Sequence, residues 1–145
     1  MAPRNTIFLR GYVGREEAGI ATGSVLTPGD LVELTGTGRG IRRHNADGGA
    51  IPAVLVVRES HENNGGGIDT NIPQNSEAVY IVANQGDKLN MRTAETIARG
   101  QQVTSAGDGT VRVRVATDSL LGVADGPDDT GRVAIIIGGS APSEV

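Results

Sequence analysis

From Ala18 onward the chain alternates between short apolar groups and turn-forming clusters, a pattern that predicts strands rather than helices. Pro28-Gly29-Asp30, Gly36 to Gly40, Asn45 to Gly49 and Gln85-Gly86-Asp87 are the clearest turn signals. Between them the sequence predicts strands at Leu31–Thr35, from Ile41, over Ile51–Val57 and over Ala78–Ala83. In Val111-Arg112-Val113-Arg114-Val115 strict alternation places three valines on one face and two arginines on the other. Leu120–Ala124 and Val133–Ile137 complete the set. Lys88–Ile97 reads as a strand with at most one helical turn around Thr93–Thr96. Residues 59–76, with Gly65-Gly66-Gly67 at their centre, read as one long loop of the functional or mobile kind.

Strands recurring about every 8–12 residues with turn chemistry between them predict an all-β fold, a compact barrel or sandwich, jelly-roll or β-tulip-like. A shift of 71 residues superimposes Leu26 on Ile97, Gly29 on Gly100, Val32 on Val103, Gly36 on Gly107 and Gly38 on Gly109. Both stretches then run through Arg-containing strands to a small apolar strand and a final apolar strand. Two readings are open: two Gly-rich hairpins that look alike by chance, which so few matched positions favour, or an internal duplication in which residues 59–76 are an insertion confined to the first copy.

The first residues differ in character. Phe8 and Tyr12, two of the three aromatic side chains in the chain, lie within residues 1–15 with Ile7, Leu9, Val13, Arg4, Arg10 and Arg15. A free terminus is usually small and polar. Two readings follow: a first strand of the domain's own core, or an arm that docks on another chain. The second is preferred. It divides the chain into a binding arm at 1–15, one β domain at 16–139 and a flexible tail at 140–145. Arg4, Ile7, Phe8, Leu9, Arg10, Tyr12, Val13 and Arg15 become the interface candidates.

Composition narrows the chemistry. The net charge is −4 and Lys and Arg form no long run, which disfavours a nucleic-acid partner. The apolar run Ile7–Leu9 is too short for a signal peptide or a membrane span. Without cysteine there is no disulfide or thiolate chemistry. His44 and His61 sit in polar, Gly- and Asn-rich surroundings and read as solvated loop residues. Asp125, Asp128 and Asp129 around Pro127 read as an acidic turn without EF-hand spacing. The triplet Gly36-x-Gly38-x-Gly40 lacks the helix and the Lys-Ser/Thr of a nucleotide loop and reads as a turn. Three aromatics are too few to line a sugar-cleaving cleft. No catalytic residue, cofactor or metal is expected.

The stretch Glu95–Arg112, followed by Leu121-Gly-Val-Ala-Asp125 and Gly131-Arg-Val-Ala-Ile-Ile-Ile137, resembles the capsid cement or head decoration proteins of tailed bacteriophages. An echo of it lies in Leu26–Thr35, with Thr27-Pro-Gly-Asp-Leu-Val32. Gln101 stands where that family carries an acid after the glycine, and the 59–76 insert has no counterpart. The resemblance implies a β-rich body without enzyme activity, trimerising at three-fold and quasi-three-fold positions on the outer capsid surface. Its partners would be the major capsid protein and neighbouring decoration subunits, and it would be made in the host cytoplasm. A tail or baseplate module, and a host-surface or glycan-binding domain, are the alternatives.

Overall fold

Turn signals separate eleven short strands among the described residues, and a Gly, Asn or Asp within two residues follows the end of most of them. The computed structural model describes residues 6–10, 15–59 and 67–138. In chain order the strands are β1 (Phe8–Arg10), β2 (Glu16–Ala21), β3 (Leu31–Leu34), β4 (Gly40–Arg43), β5 (Leu55–Val57), β6 (Glu77–Val82), β7 (Lys88–Arg92), β8 (Gln102–Ser105), β9 (Val111–Val113), β10 (Gly122–Ala124) and β11 (Arg132–Ile137). No helix occurs among the described residues. The all-β expectation is met.

β2 to β6 close into a barrel in the order β2-β4-β3-β5-β6. The remaining strands form a six-stranded sheet ordered β1-β7-β11-β10-β8-β9. Removing β1 leaves β7-β11-β10-β8-β9, the same circular order as β2-β6-β5-β3-β4. A parallel bridge from Thr93 to Val111 marks where the second unit approaches closure, as the parallel pair Ala21–Ile41 closes the first.

The registers agree as well as the order. Glu16–Ile81 and Ile20–Glu77 in the first unit correspond to Lys88–Ile136 and Arg92–Arg132 in the second. Leu55–Val82 and Val57–Tyr80 correspond to Gly122–Ile137 and Ala124–Ile135. Turn hydrogen bonds repeat too. Gly29 N–H donates to the Val57 carbonyl and Gly100 N–H to the Ala124 carbonyl, both at 2.8 Å. Gly29 and Gly100 share φ near +95° and +92°, a left-handed conformation that favours glycine. Among the described residues two non-glycine positions have positive φ, Asn75 and Thr130, and each lies two residues before the last strand of its unit. The duplication read from five positions in the sequence therefore extends through strand order, register and turn geometry.

Gln101, the departure from the family pattern, keeps the geometry. Its side-chain carbonyl accepts the Ala98 N–H at 2.8 Å, as Asp30 Oδ2 accepts the Thr27 N–H at 2.8 Å. An amide oxygen replaces a carboxylate oxygen at the same point of the turn.

Alternation along the barrel strands gives two buried faces. Val32, Leu55, Val57, Ala78 and Tyr80 join Ala21, Leu26, Ile41 and Ile72 in one cluster. Their neighbours Leu31, Val56 and Ile81 point the other way, into a cluster built mainly from the second unit, with Leu89, Met91, Val103, Val111, Val133 and Ile135. Burial on both faces explains why these strands read as continuous apolar runs. The long loop is anchored from both sides of its centre. Ile72 bridges to Leu26, Ile68 is buried in the second-unit cluster, and residues 60–66 lie outside the described residues.

Strand lengths correct two expectations. Ile51–Val54 lie outside any strand, so only Leu55–Val57 continue the predicted run. The Val111–Val115 alternation also breaks early. Asp118 Oδ2 accepts the Val115 N–H at 3.0 Å, β9 ends at Val113, and Val115 is 60% exposed.

Candidate interface surface

The N-terminal residues do not stand clear of the body as a free arm from the first residue to Arg15. Ile7 is fully buried in the main core cluster and Phe8 packs against that cluster. β1 pairs antiparallel with β7, Phe8 opposite Leu89 and Arg10 opposite Lys88, and the Asn90 N–H donates to the Ile7 carbonyl at 2.7 Å. Ile7 is thus withdrawn from the interface candidates. Its isoleucine side chain gains more by leaving water inside its own subunit than an exposed arm residue gains while unbound. Of the other candidates, Leu9 is half-buried and Arg15 is exposed. Arg10 belongs to β1, and Arg4, Tyr12 and Val13 lie outside the described residues. The segment therefore contains a sheet-edge strand of the body, the reading set aside in the sequence.

Several charged side chains hold the two units together. Asp30 is fully buried, and its carboxylate accepts from Arg92 Nη1 at 2.6 Å, Arg43 Nε at 2.9 Å and the Thr27 N–H. Arg92 comes from the second unit, so this carboxylate spans the junction. Arg132 of β11 reaches back to the carbonyls of Pro28 at 2.8 Å and Ile68 at 2.6 Å. Burial lowers the Arg132 pKa, against the pull of the Asp69 carboxylate 3.7 Å away.

His44 corrects the sequence reading. It is 2% exposed, not solvated. One ring nitrogen, Nδ1, lies 2.7 Å from Ser105 Oγ in the second unit, and Nε2 lies 2.8 Å from the Ala50 carbonyl. That carbonyl only accepts, so Nε2 donates to it. The polar neighbourhood that suggested a solvated loop is the seam between units. His61 lies outside the described residues.

The acidic turn also has structural work. Asp125 bonds Lys88 at 2.8 Å and Arg99 at 3.3 Å, and these cations hold its carboxyl below the usual range. Asp128 accepts from the Thr93 hydroxyl and the Gly131 N–H. Arg112 joins Asp47 to Asp118, and its hydrogen bond is the main cause of the lowered Asp118 pKa. No group of three or more His, Cys, Asp and Glu side chains among the described residues is placed to hold a metal ion.

What remains on the outside is a surface of strand edges, scattered apolar residues and charge. Leu34, 62% exposed, borders a shallow apolar depression of about 340 Å³ with Pro52, Ala53 and Leu55. Sequence reasoning missed this depression, because Leu34 reads as one more core residue of an apolar strand. It also missed the Asp30 junction, whose only sequence signal was the acid following Pro-Gly in a turn.

No protein-family model matches the chain, and no curated protein matches it. Among solved structures, the chain is similar in fold to the N base of the head fiber gp8.5 of bacteriophage phi29. The TM-score is 0.62 at 14% sequence identity, over 86% of this chain and 93% of that one. At this identity the likeness is one of fold, and it runs through both five-stranded units rather than one of them.

Proposed function

We propose that the chain is a non-enzymatic structural protein of a phage virion, seated on the outer capsid surface as a homotrimer at three-fold and quasi-three-fold positions. The observation that carries this reading is the fold shared with a phage head fiber base along nearly the whole length of both chains. The cement-like motifs of residues 95–137 point the same way from the sequence. The chemistry agrees: Asp30, Arg43, Arg92, Arg112, Asp118 and His44 serve the internal architecture.

Such a protein stabilises a shell by linkage. It binds the assembled lattice and not its separated subunits, so occupancy shifts the equilibrium toward the lattice. Attachment through three copies multiplies weak contacts, because the second and third bind at high effective concentration. Leu9, Arg10 and Arg15, with Arg4, Tyr12 and Val13, supply apolar and cationic contacts to neighbouring subunits or the major capsid protein, while Ile7 and Phe8 stay with their own core.

The test is cosedimentation of the purified chain with shells of its phage that lack it. Saturable binding that raises the shell's melting temperature is expected, with a free mass of three copies. Failure to associate with shells at high protein concentration would overturn the proposal.

A further inference from the structure

The duplication allows each position in one unit to be compared with its counterpart in the other, and one pair of positions differs sharply. In the second unit, β7 is paired on both sides, with β11 along its length and with β1 at Leu89 and Lys88. In the first unit, β2 is paired along its length to β6, but with β4 only at Ile20 and Ala21. The registers make Glu16, Glu17 and Ala18 the counterparts of Lys88, Leu89 and Asn90. The three second-unit residues lie beneath β1, with Leu89 and Asn90 buried. In the first unit nothing among the described residues takes the place of β1, and Glu16 and Glu17 are exposed.

The direction of each backbone group follows from the ladder. Arg15 accepts from the Val82 N–H and the Ala21 N–H donates to Ser76, so odd-numbered residues of β2 face β6. Ile20 N–H donates to Arg39 and Thr22 N–H to Ile41, so even-numbered residues face the other way. The N–H groups of Glu16 and Ala18 therefore point outward, and no described backbone group meets them. Asn90, the counterpart of Ala18, gives its outward N–H to Ile7 of β1.

We infer that the Glu16–Ala18 edge of β2 receives an extended strand from the capsid surface, seated as β1 is seated on β7. This rests on the shell-binding function proposed above. The incoming strand is identified by its chemistry. Unpaired outward N–H groups on a sheet edge select extended backbone. Glu16 is already paired with Arg58 of the same chain at 3.3 Å, so the exposed carboxylate that the edge offers is that of Glu17, and the strand carries a basic side chain opposite it. In the β1 register the residue opposite Glu17 is the counterpart of Phe8, which lies opposite Leu89, and a cation there makes the opposite-charge pair that adjoining strands favour. Charged residues on a bare edge also guard against unwanted pairing, and that role predicts no effect of altering them on shell binding.

Ala18→Pro separates these cases. It removes the outward N–H but leaves the β6 ladder intact, a position where an edge strand tolerates proline. Titration onto shells lacking the protein should show affinity lowered about 10-fold, the loss expected for a strand's outward hydrogen bonds. Glu17→Lys, a change at an exposed position, should weaken binding comparably, and Glu16→Ala, which removes the carboxylate already held by Arg58, should not. Hydrogen exchange of the wild-type chain should show the Glu16 and Ala18 amides fast when free and slow on the shell. Unchanged affinity of Ala18→Pro and Glu17→Lys, with fast exchange at Ala18 on the shell, would overturn the inference and leave shell binding standing. Wild-type failure to bind shells would overturn the function on which it rests. If Ala18→Pro instead lowers the mass of the free protein, the strand belongs to a second copy and the capsid assignment falls.

Discussion

Asp30 and Gln101 occupy the same point of the same turn in the two units, yet replacing each with alanine should have very different effects. Gln101→Ala removes one exposed amide hydrogen bond at 2.8 Å, worth about 0.5–1.5 kcal/mol at most. Asp30→Ala removes a fully buried carboxylate and leaves three donors, on Arg43, Arg92 and Thr27, without it. Breaking a buried ion pair from one side costs about 3–5 kcal/mol. The Arg43 and Arg92 side chains are 29% and 31% exposed, so water recovers part of the loss. About 3 kcal/mol is then the better figure, by the same reasoning that discounts solvent-screened pairs. For a chain of 145 residues that is a fall in Tm of roughly 10 °C, against roughly 3 °C for Gln101→Ala. Thermal unfolding followed by circular dichroism or calorimetry measures both. Equal losses for the two variants, or a loss under about 3 °C for Asp30→Ala, would refute the claim that this carboxylate joins the units.

Ile7→Ala should destabilise the chain by about 2–4 kcal/mol, because the side chain is fully buried in the main cluster; chemical denaturation reads the change. An added Cβ at Gly122 would lie 2.2 Å from the Ile136 carbonyl oxygen and 2.8 Å from Ile135 Cγ2. Gly122→Ala should therefore force β10 away from β11 and lower stability by at least about 1–3 kcal/mol in the same assay. The carboxyls of Asp118 and Asp125 are held below their ordinary range by Arg112 and by Lys88 with Arg99. A depressed folded-state pKa contributes stability above the unfolded value, near pH 4, that is lost as pH falls through the folded value. Melting curves should thus decline from about pH 4 downward, and less steeply in a variant carrying both Asp118→Asn and Asp125→Asn.

The fold was legible in the sequence where local chemistry decides it. Gly29 and Gly100 announced their turns because left-handed backbone favours glycine. The apolar runs at Leu31-Val32 and Leu55–Val57 announced strands buried on both faces. The duplication showed through five positions because those positions carry the turns and the core. What escaped notice depends on contacts between distant residues. The alternation of Val111–Val115 hid the stop imposed by Asp118. His44 looked solvated because its partners are a backbone carbonyl, that of Ala50, and the hydroxyl of Ser105 in the other unit, and neither leaves a mark in the residues around it. The N-terminal segment was ambiguous for a physical reason: an apolar strand that completes a sheet edge and one that grips a neighbour carry the same side chains. Only the seat of Ile7 against Leu89 and Asn90 separates the two.

Image reconstruction of the phage particle, with and without this protein, tests the central claim most directly. The account predicts difference density in groups of three on the outer shell at three-fold and quasi-three-fold positions, each lobe sized for a chain of 14.9 kDa. Difference density confined to the tail or baseplate, or none on the particle, would contradict it.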